Sequence, residues 1–211
     1  MHLQSNEIDN AGGEAILKQM AKRKLVKLEL DNNKITGAVL TEYLKYMPLR
    51  KLHLVKNQLT FDQAKTLNVS LKQSRDLDSV FMTHNNMSDE ALGLMADAFA
   101  CNDKIEEISI THNDLSLPNG KKLVDSFKMM PNLLRLSLNS CKITEELLES
   151  LAVALESNVK LTDLNLYSND IHTDSAPIVA RIIKDKTSLR TLGLSNNCIG
   201  FGGAREIAST C

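Results

Sequence analysis

The sequence has little of what marks membrane proteins, secreted domains and proteins with one large aromatic core. Aromatic residues make up 4% of its 211 residues and Trp is absent, so core volume must come from aliphatic side chains. Apolar runs stay well short of the ~20 residues that a membrane-spanning helix needs. No signal peptide opens the chain, so we expect an intracellular, cytoplasmic protein.

Cysteine is also scarce, and its four positions show no metal-ligand spacing. Cys101, Cys141, Cys198 and Cys211 include no CxxC pair. Thiols stay reduced in the cytoplasm, so we expect four free thiols and no disulfide. The sequence also contains no Gly-rich phosphate loop, no Ser/His/Asp set in sensible geometry and no metal cluster. We therefore predict a protein that is not an enzyme, with no catalytic residue, no cofactor and no metal.

Neither sign of charge dominates the chain. Its net charge of −1 gives no reason to expect a nucleic acid or a membrane surface as partner. The total conceals a gradient, because residues 1–75 hold 13 Lys/Arg and 7 Asp/Glu, a net of +6. Residues 76–211 hold 12 and 19, a net of −7. The two ends of the molecule are predicted to present opposite fields.

What the sequence does contain is one repeated pattern, L-x-x-L-x-L-x-x-N-x-L, in which other aliphatic residues replace some of the leucines. The full copies begin at residues 25, 49, 77, 105, 133, 161 and 189. The first interval is 24 residues and the next five are 28 residues each. Seven copies in register exclude chance and indicate a repeat architecture.

The domain organisation follows from these copies. We predict a single repeat domain over residues 1–211, with seven full repeats and a partial one over residues 1–24, where Leu3, Asn6 and Ile8 match the pattern. Solenoids usually carry polar capping repeats, and none is visible in this sequence. We therefore expect the chain to be a fragment of a longer protein.

Each copy has the pattern of a strand followed by a helix. Alternation, as in Leu28-x-Leu30, predicts a short strand with one buried face. The stretch behind it has apolar residues three and four apart, as in Leu148, Leu151 and Leu155, which is typical of a helix. Strands stack at ~4.8 Å, whereas helices are ~10 Å wide, so the stack must curve. The sequence predicts a right-handed α/β solenoid with parallel strands on the concave face and helices on the convex face.

The asparagine of each copy is predicted to be structural, because a buried amide must be hydrogen-bonded and can satisfy loop backbone groups in two copies. This column comprises Asn33, Asn57, Asn85, Asn113, Asn169 and Asn197. Cys141 takes its place in the fifth copy. A reactive thiol there is disfavoured, because the nearest candidate base, His112, is predicted to face outward while Cys141 faces inward.

These residues resemble the leucine-rich repeat family, in its ribonuclease-inhibitor-like class of 28-residue repeats, and the resemblance covers essentially the whole chain. The copy from Leu189 to Ala208 is similar to the class consensus, with Gly203-Ala204 followed by Ile207-Ala208 at the helix. Family members tolerate cysteine in the asparagine column. The resemblance implies a non-enzymatic scaffold that binds a protein partner through its concave face, as a subunit or region of a larger assembly.

The resemblance leaves the subclass open. Ribonuclease inhibitors, cytoplasmic immune receptors, actin-capping tropomodulins and flagellar regulatory proteins share such repeats, so cytoskeletal or flagellar association is an option. The alternative function is regulation of a small GTPase, as in the Ran GTPase-activating proteins, with Arg50, Arg135 or Arg190 reaching the nucleotide site. This sequence departs from those proteins, because their catalytic segment and acidic tail are missing.

Recognition is predicted at the x positions of the strands, which carry no packing duty and are expected to be exposed, Glu29, Asp78 and Ser79 among them. The first two copies place a basic cluster there, predicted to meet an acidic patch; a solvated surface is the alternative. That cluster comprises Lys27, Arg50, Lys51, His53 and Lys56. Phe81 and Tyr167 are predicted to be apolar anchors, with partial burial by neighbouring side chains as the alternative.

Two histidines complete the predicted surface. His84 and His112 occupy the same position in adjacent copies and are expected ~5 Å apart. Two imidazoles alone make a poor metal site, because zinc takes three or four ligands, so they are interpreted as polar surface residues. The predicted partner-binding set comprises Arg50, Lys51, His53, Lys56, Phe81, His84, His112, Arg135 and Tyr167.

Overall fold

Each full copy from the second to the seventh contributes one three-residue strand and, after a turn, one helix. Among the described residues, the first full copy contributes a strand and the partial copy a helix. The computed structural model describes residues 1–35, 40, 47–57 and 59–210, so Cys211, one of the four cysteines above, lies outside the described residues. The strands are β1 (Lys27–Glu29), β2 (Lys51–His53), β3 (Ser79–Phe81), β4 (Glu107–Ser109), β5 (Arg135–Ser137), β6 (Asp163–Asn165) and β7 (Thr191–Gly193). The helices are α1 (Asn10–Met20), α2 (Phe61–Gln73), α3 (Asp89–Phe99), α4 (Pro118–Ser126), α5 (Glu145–Leu155), α6 (Ala176–Ile183) and α7 (Gly200–Ala208).

The strands form one parallel sheet in sequence order, β1 to β7. Register joins equivalent positions of successive copies, so that Leu28 pairs with Leu52 and Leu52 with Val80. A single parallel bridge from His2 to Glu29 extends the ladder into the partial copy. The predicted solenoid of stacked parallel strands is confirmed. Because the strands are closer together than helices can pack, the sheet lines the concave side.

Aliphatic side chains fill the space between sheet and helices. The inward strand residues Leu28, Leu52 and Val80 are fully buried, and so are Leu151 and Leu155 on α5. No single repeat encloses this core, because each inward face is completed by its neighbours. The scarcity of aromatic residues therefore reflects a core built in thin, similar layers.

Several helices begin at side chains that cap them. Ser88 Oγ accepts the Ala91 N–H before α3, and Thr144 Oγ1 accepts the Leu147 N–H before α5, both at 3.3 Å. These caps satisfy backbone donors that the first helical turn leaves unpaired. Helix α4 has no such cap and begins with Pro118, whose missing N–H would be unpaired there in any case.

The asparagine column ties neighbouring repeats together, as predicted. Asn113 Nδ2 donates to the carbonyl oxygens of Met82 at 3.0 Å and Ile110 at 2.7 Å. Its Oδ1 accepts the N–H groups of Asn85 at 3.3 Å and Met87 at 3.4 Å. One side chain thus satisfies backbone groups of two repeats, and Asn169 repeats the pattern toward Cys141 and Ile143.

Cys141 lies in this column as an inert thiol. It is fully buried, with its Sγ 3.5 Å from the Ile110 carbonyl oxygen and 3.4 Å from that of Asn139. Burial raises the pKa of the Cys141 thiol to about 12. The thiol is therefore protonated at neutral pH and is no nucleophile. His112 is exposed on the opposite face of the chain, so it gives Cys141 no base.

Candidate functional site

The outward positions of the strands line up across the concave face because the register joins equivalent residues. The strand-start row comprises Lys27, Lys51, Ser79, Glu107, Arg135, Asp163 and Thr191. The strand-end rows comprise the last strand residue of each copy (Glu29, His53, Phe81, Ser109, Ser137, Asn165 and Gly193) and the second and third residues after it. These rows differ in charge, and that difference divides the face into two parts.

Ion pairs dominate the strand-start side. Arg50, just before β2, places Nη2 and Nε each 2.6 Å from Asp78 Oδ2. Glu107 accepts from Arg135 at 3.1 Å and lies 3.9 Å from Lys51 Nζ. The hydrogen bond that Arg135 donates to Glu107 raises the pKa of its guanidinium. Arg50 and Lys51 of the predicted basic cluster are therefore paired with acidic residues of later repeats, and their contact with a partner stays a prediction.

Three outward positions predicted to be exposed are buried. Glu29, Asp78 and Ser79 have relative exposures of 6%, 7% and 1%. Long neighbouring side chains cover the acids, with Arg50 over Asp78, while Ser79 Oγ donates to Asp78 Oδ1 at 2.7 Å. Alternation of strand residues tells which way a side chain points, but not whether the next repeat covers it.

Glu29 is held by three residues at the edge of the sheet. Its carboxylate contacts Lys27 Nζ, His2 Nδ1 and Gln4 Nε2. The hydrogen bond from Lys27, followed by those contacts with His2, lowers the pKa of Glu29 to about 2 against the opposing effect of burial. Lys27 is thus also paired, because its ammonium group contacts Glu29 at the edge of the sheet.

Lys56 differs from the other cations of the predicted cluster. It is exposed at the end of the β2 repeat, and within the part of the chain that the structure describes it forms no ion pair. Lys56 is therefore the member of the predicted cluster that keeps an unpaired positive charge.

Within the strand-end rows, the last residues of β2 and β3 form a pair of stacked rings. The His53 and Phe81 rings lie 4.1 Å apart between centroids, with an interplanar angle of 20°. Burial is the main reason why the pKa of His53 is lowered, so the ring is neutral at neutral pH. Phe81 is half-buried, since His53 covers one face of its ring. The structure thus favours partial burial by a neighbour, the alternative left open for Phe81.

Hydroxyl groups form a chain across the middle of the strand-end rows. Thr83 Oγ1 and Ser109 Oγ are 3.0 Å apart, and Ser109 Oγ lies 3.4 Å from Thr111 Oγ1. Thr111 Oγ1 continues to Ser137 Oγ at 3.0 Å. These side chains are short and neutral, and they lie between Phe81 at the end of β3 and Tyr167 after β6. We call this strip, formed by Thr83, Ser109, Thr111 and Ser137, the hydroxyl trough.

Tyr167 stands on the far side of the trough. Its backbone N–H donates to Asn139 Oδ1 at 3.0 Å, and the residue is 41% exposed. Three strand spacings separate the β3 and β6 repeats, roughly 14 Å. Phe81 and Tyr167 are therefore not adjacent; they flank a trough somewhat wider than a helix with its side chains.

The two predicted histidines do come together. The rings of His84 and His112 stack with centroids 3.9 Å apart and an interplanar angle of 14°. Both residues are exposed and adopt the left-handed backbone conformation, with φ of 58° and 57°. Desolvation, then His112 and Lys56, lowers the pKa of His84. Within the described residues, no group of three His, Cys, Asp or Glu side chains is placed to hold a metal ion.

The structure thus joins some of the predicted set and separates others. His53 with Phe81, and His84 with His112, form contiguous pairs, whereas Arg50, Lys51 and Arg135 belong to the ion pairs of the strand-start side. Sequence reasoning missed the hydroxyl trough. The sequence did contain a signal for it, because small hydroxyl residues recur at equivalent positions of consecutive copies. Thr83 is equivalent to Thr111, and Ser109 is equivalent to Ser137.

Comparisons with known proteins agree with the repeat. A family model described as Leucine Rich repeat matches residues 2–17 and 185–208. The human NACHT, LRR and PYD domains-containing protein 13 is 28% identical over 152 residues, 71% of this chain and 15% of that protein. The ribonuclease inhibitor of Mus musculus is 25% identical over 196 residues, 89% of this chain and 42% of the inhibitor. The chain therefore spans less than half the length of either relative.

One solved structure matches this chain at low sequence identity and a low TM-score. An internalin from Listeria monocytogenes is 15% identical, with a TM-score of 0.40, covering 94% of this chain and 68% of that one. The assignment of the fold rests on the strand order and register described above. Of the helices within residues 1–35, 40, 47–57 and 59–210, none has the length and apolarity needed to span a membrane.

Proposed function

We propose that this chain, which belongs to the leucine-rich repeat family in its ribonuclease-inhibitor-like class, is a non-enzymatic scaffold that binds a protein partner through the strand-end rows of its concave face. The observation that carries this proposal is the contrast between inward and outward strand residues. Inward positions repeat the same buried aliphatic residues in copy after copy, whereas outward positions vary and leave Tyr167 41% exposed.

The aromatic residues on either side of the trough supply the apolar contact. Aromatic side chains bury much area for few rotatable bonds, and they are enriched among the residues that dominate binding energy. Tyr167 offers its exposed ring, and Phe81 offers the face that His53 leaves open. A partner segment seated between them would cover both rings and desolvate the surface around them.

The hydroxyl trough admits such a segment. Its side chains are short, and each hydroxyl already has a partner within the chain Thr83–Ser109–Thr111–Ser137. Covering them therefore leaves fewer polar groups unpaired than covering separate hydroxyls would. The trough of roughly 14 Å between the flanking repeats suits one helix or one protruding loop of the partner.

Charge plays a secondary part in this proposal. The ion pairs of Arg50 with Asp78 and of Arg135 with Glu107 are complete within the chain, so a partner gains little by contacting them. Lys56 retains an unpaired charge, and His84 and His112 continue its row. The electrostatic contact with a partner is therefore assigned to Lys56, and Lys51 and Arg135 serve as the rim.

Regulation of a small GTPase, the alternative from the sequence, has a direct test. Such a regulator needs a residue free to stabilise charge at the partner's nucleotide site. Arg50 and Arg135 are instead engaged by Asp78 and Glu107. We expect no acceleration of phosphate release when the chain is mixed with a panel of GTP-loaded small GTPases; acceleration that Arg190→Ala abolishes would support the alternative.

The proposed function is tested by locating the contact. The chain is used to capture partners from a cell lysate, and hydrogen exchange of the chain is compared with and without the purified partner. We expect protection in residues 79–84, 107–112, 135–140 and 163–168, which hold the strand-end rows of β3 to β6. Protection confined to helices α2 to α5 would reject the concave face as the binding site.

A further inference from the structure

Three residues share one structural position at the ends of consecutive strands. Lys56, His84 and His112 each follow their strand by three residues, and each adopts the left-handed conformation, with φ of 56°, 58° and 57°. The shared backbone aims the three side chains along one row, and the two imidazole rings stack 3.9 Å apart. An exposed row of this kind has two members that can gain a proton near neutral pH.

We propose that the stacked pair His84–His112, beside Lys56, is a proton-operated switch for the strand-end rows of the concave face. When both rings are unprotonated, the row carries the single charge of Lys56 and the rings stack. Acidification protonates one ring first. The positive charge on that ring then disfavours protonation of the other. Two protonated rings at a centroid distance of 3.9 Å repel each other, so double protonation disfavours the stack.

Few other charged groups face the pair. On the β2 side the next residue of the row is Lys56, and on the β5 side it is Ser140, which has no charge. The preceding residues of the two histidine repeats, Thr83 and Thr111, are also neutral, and both belong to the hydroxyl trough. Asp114, two residues after His112, is bound to Lys142 at 2.6 Å, so its charge is already matched.

These surroundings set the direction of the switch. Desolvation is the largest cause of the lowered pKa of His84, followed by His112 and Lys56. His84 therefore gains its proton at a lower pH than an unperturbed histidine does, beside the charge of Lys56. A partner that covers the unprotonated stack would be expelled on acidification, because it would bury positive charges that none of the described neighbours named above neutralises.

The first test uses the free chain and needs no partner. Histidine ring signals are followed by NMR from pH 8 to pH 4.5 in the wild type and in His112→Gln, with the exposed His172 as an internal pH reference. A unit charge removed at ~4 Å in water should raise the His84 midpoint by about 0.7 pH unit. Coupled titration steps should appear in the wild type and be absent from His112→Gln. If His84 has the same titration midpoint in His112→Gln as in the wild type, the two rings are not coupled and the proposal is overturned.

The second test rests on the proposed function and uses the purified partner. Wild-type binding is expected to weaken at least tenfold between pH 7.5 and pH 5, while His84→Gln/His112→Gln binds equally at both values. Equal loss in the double variant would overturn the switch while leaving the proposed function intact. If hydrogen exchange places the partner on the helices, the proposed function fails, and the NMR titration still decides whether the pair is coupled.

Discussion

Asn169 Oδ1 accepts the backbone N–H of Cys141 at 2.9 Å, so the column asparagine of the sixth repeat supports the fifth repeat, whose own column position holds Cys141. The same oxygen accepts the Ile143 N–H at 3.2 Å. Each column side chain thus serves the repeat before it as well as its own. At the cysteine, contact with the fourth repeat is kept by other atoms: the Cys141 backbone oxygen accepts the Leu115 N–H at 2.9 Å, and Sγ lies 3.5 Å from the Ile110 carbonyl oxygen.

Asn113→Ala is predicted to destabilise the chain. The change removes the acceptor of the Asn85 and Met87 N–H groups and the donor to the Met82 and Ile110 carbonyl oxygens. Leaving buried backbone groups unpaired costs ~1–3 kcal/mol. Urea unfolding followed by circular dichroism should show a lower midpoint with an unchanged slope.

Ser195→Ala is the matched control for that change. Ser195 is exposed at the end of the β7 repeat, and loss of its hydroxyl should alter stability by less than ~0.5 kcal/mol. Equal midpoints for Asn113→Ala and wild type would contradict the structural role assigned to the column.

Cys141 is predicted to resist alkylation in the folded chain. Its thiol is buried and its pKa is raised to about 12, whereas Cys101 and Cys198 are exposed. Iodoacetamide at pH 8, read by mass spectrometry, should label Cys101 and Cys198 rapidly and Cys141 only after denaturant is added. Under denaturing, non-reducing conditions all four thiols should react. Rapid labelling of Cys141 in the native chain, or two thiols missing after denaturation, would count against this account.

Glu29 is predicted to make stability depend on acid pH. Its pKa is lowered from 4.5 to about 2 by Lys27 and His2, so its contribution is complete above pH 4.5 and is lost as the pH falls toward 2. Glu29→Gln should therefore lower stability at pH 7 and flatten its decline between pH 4.5 and 2. The check is the urea midpoint of variant and wild type, plotted against pH across that range. Parallel curves for the two proteins would contradict the prediction.

Much of the fold could be predicted from the sequence because one pattern recurs at nearly constant spacing. Leu28, Leu52 and Val80 are paired and buried as their common position predicts. The structural role of the asparagine column also followed from chemistry, since a buried amide requires partners. Repetition supplied the register, which for most folds is the least certain part of a prediction.

The candidate site was predicted less completely, because its properties depend on contacts between repeats. Arg50 and Asp78 are 28 positions apart in the sequence and were considered separately, yet their side chains form an ion pair at 2.6 Å. Likewise, His53 covers Phe81, and the sequence alone does not tell how far a neighbour's side chain reaches. The direction in which a strand side chain points can be predicted from the alternation of residues. Its burial and its ion pairs depend on the side chains of the adjacent repeats.

The most direct measurement is the affinity of the captured partner for Phe81→Ala and Tyr167→Ala, compared with Phe201→Ala on helix α7 at the convex side. Phe201 is 85% exposed, so it is the matched aromatic control away from the concave face. The account predicts that each concave variant weakens binding by more than ~1 kcal/mol, about fivefold, because buried aromatic anchors dominate interfaces, while Phe201→Ala binds like wild type. Wild-type affinity in both concave variants together with a loss in Phe201→Ala would contradict it.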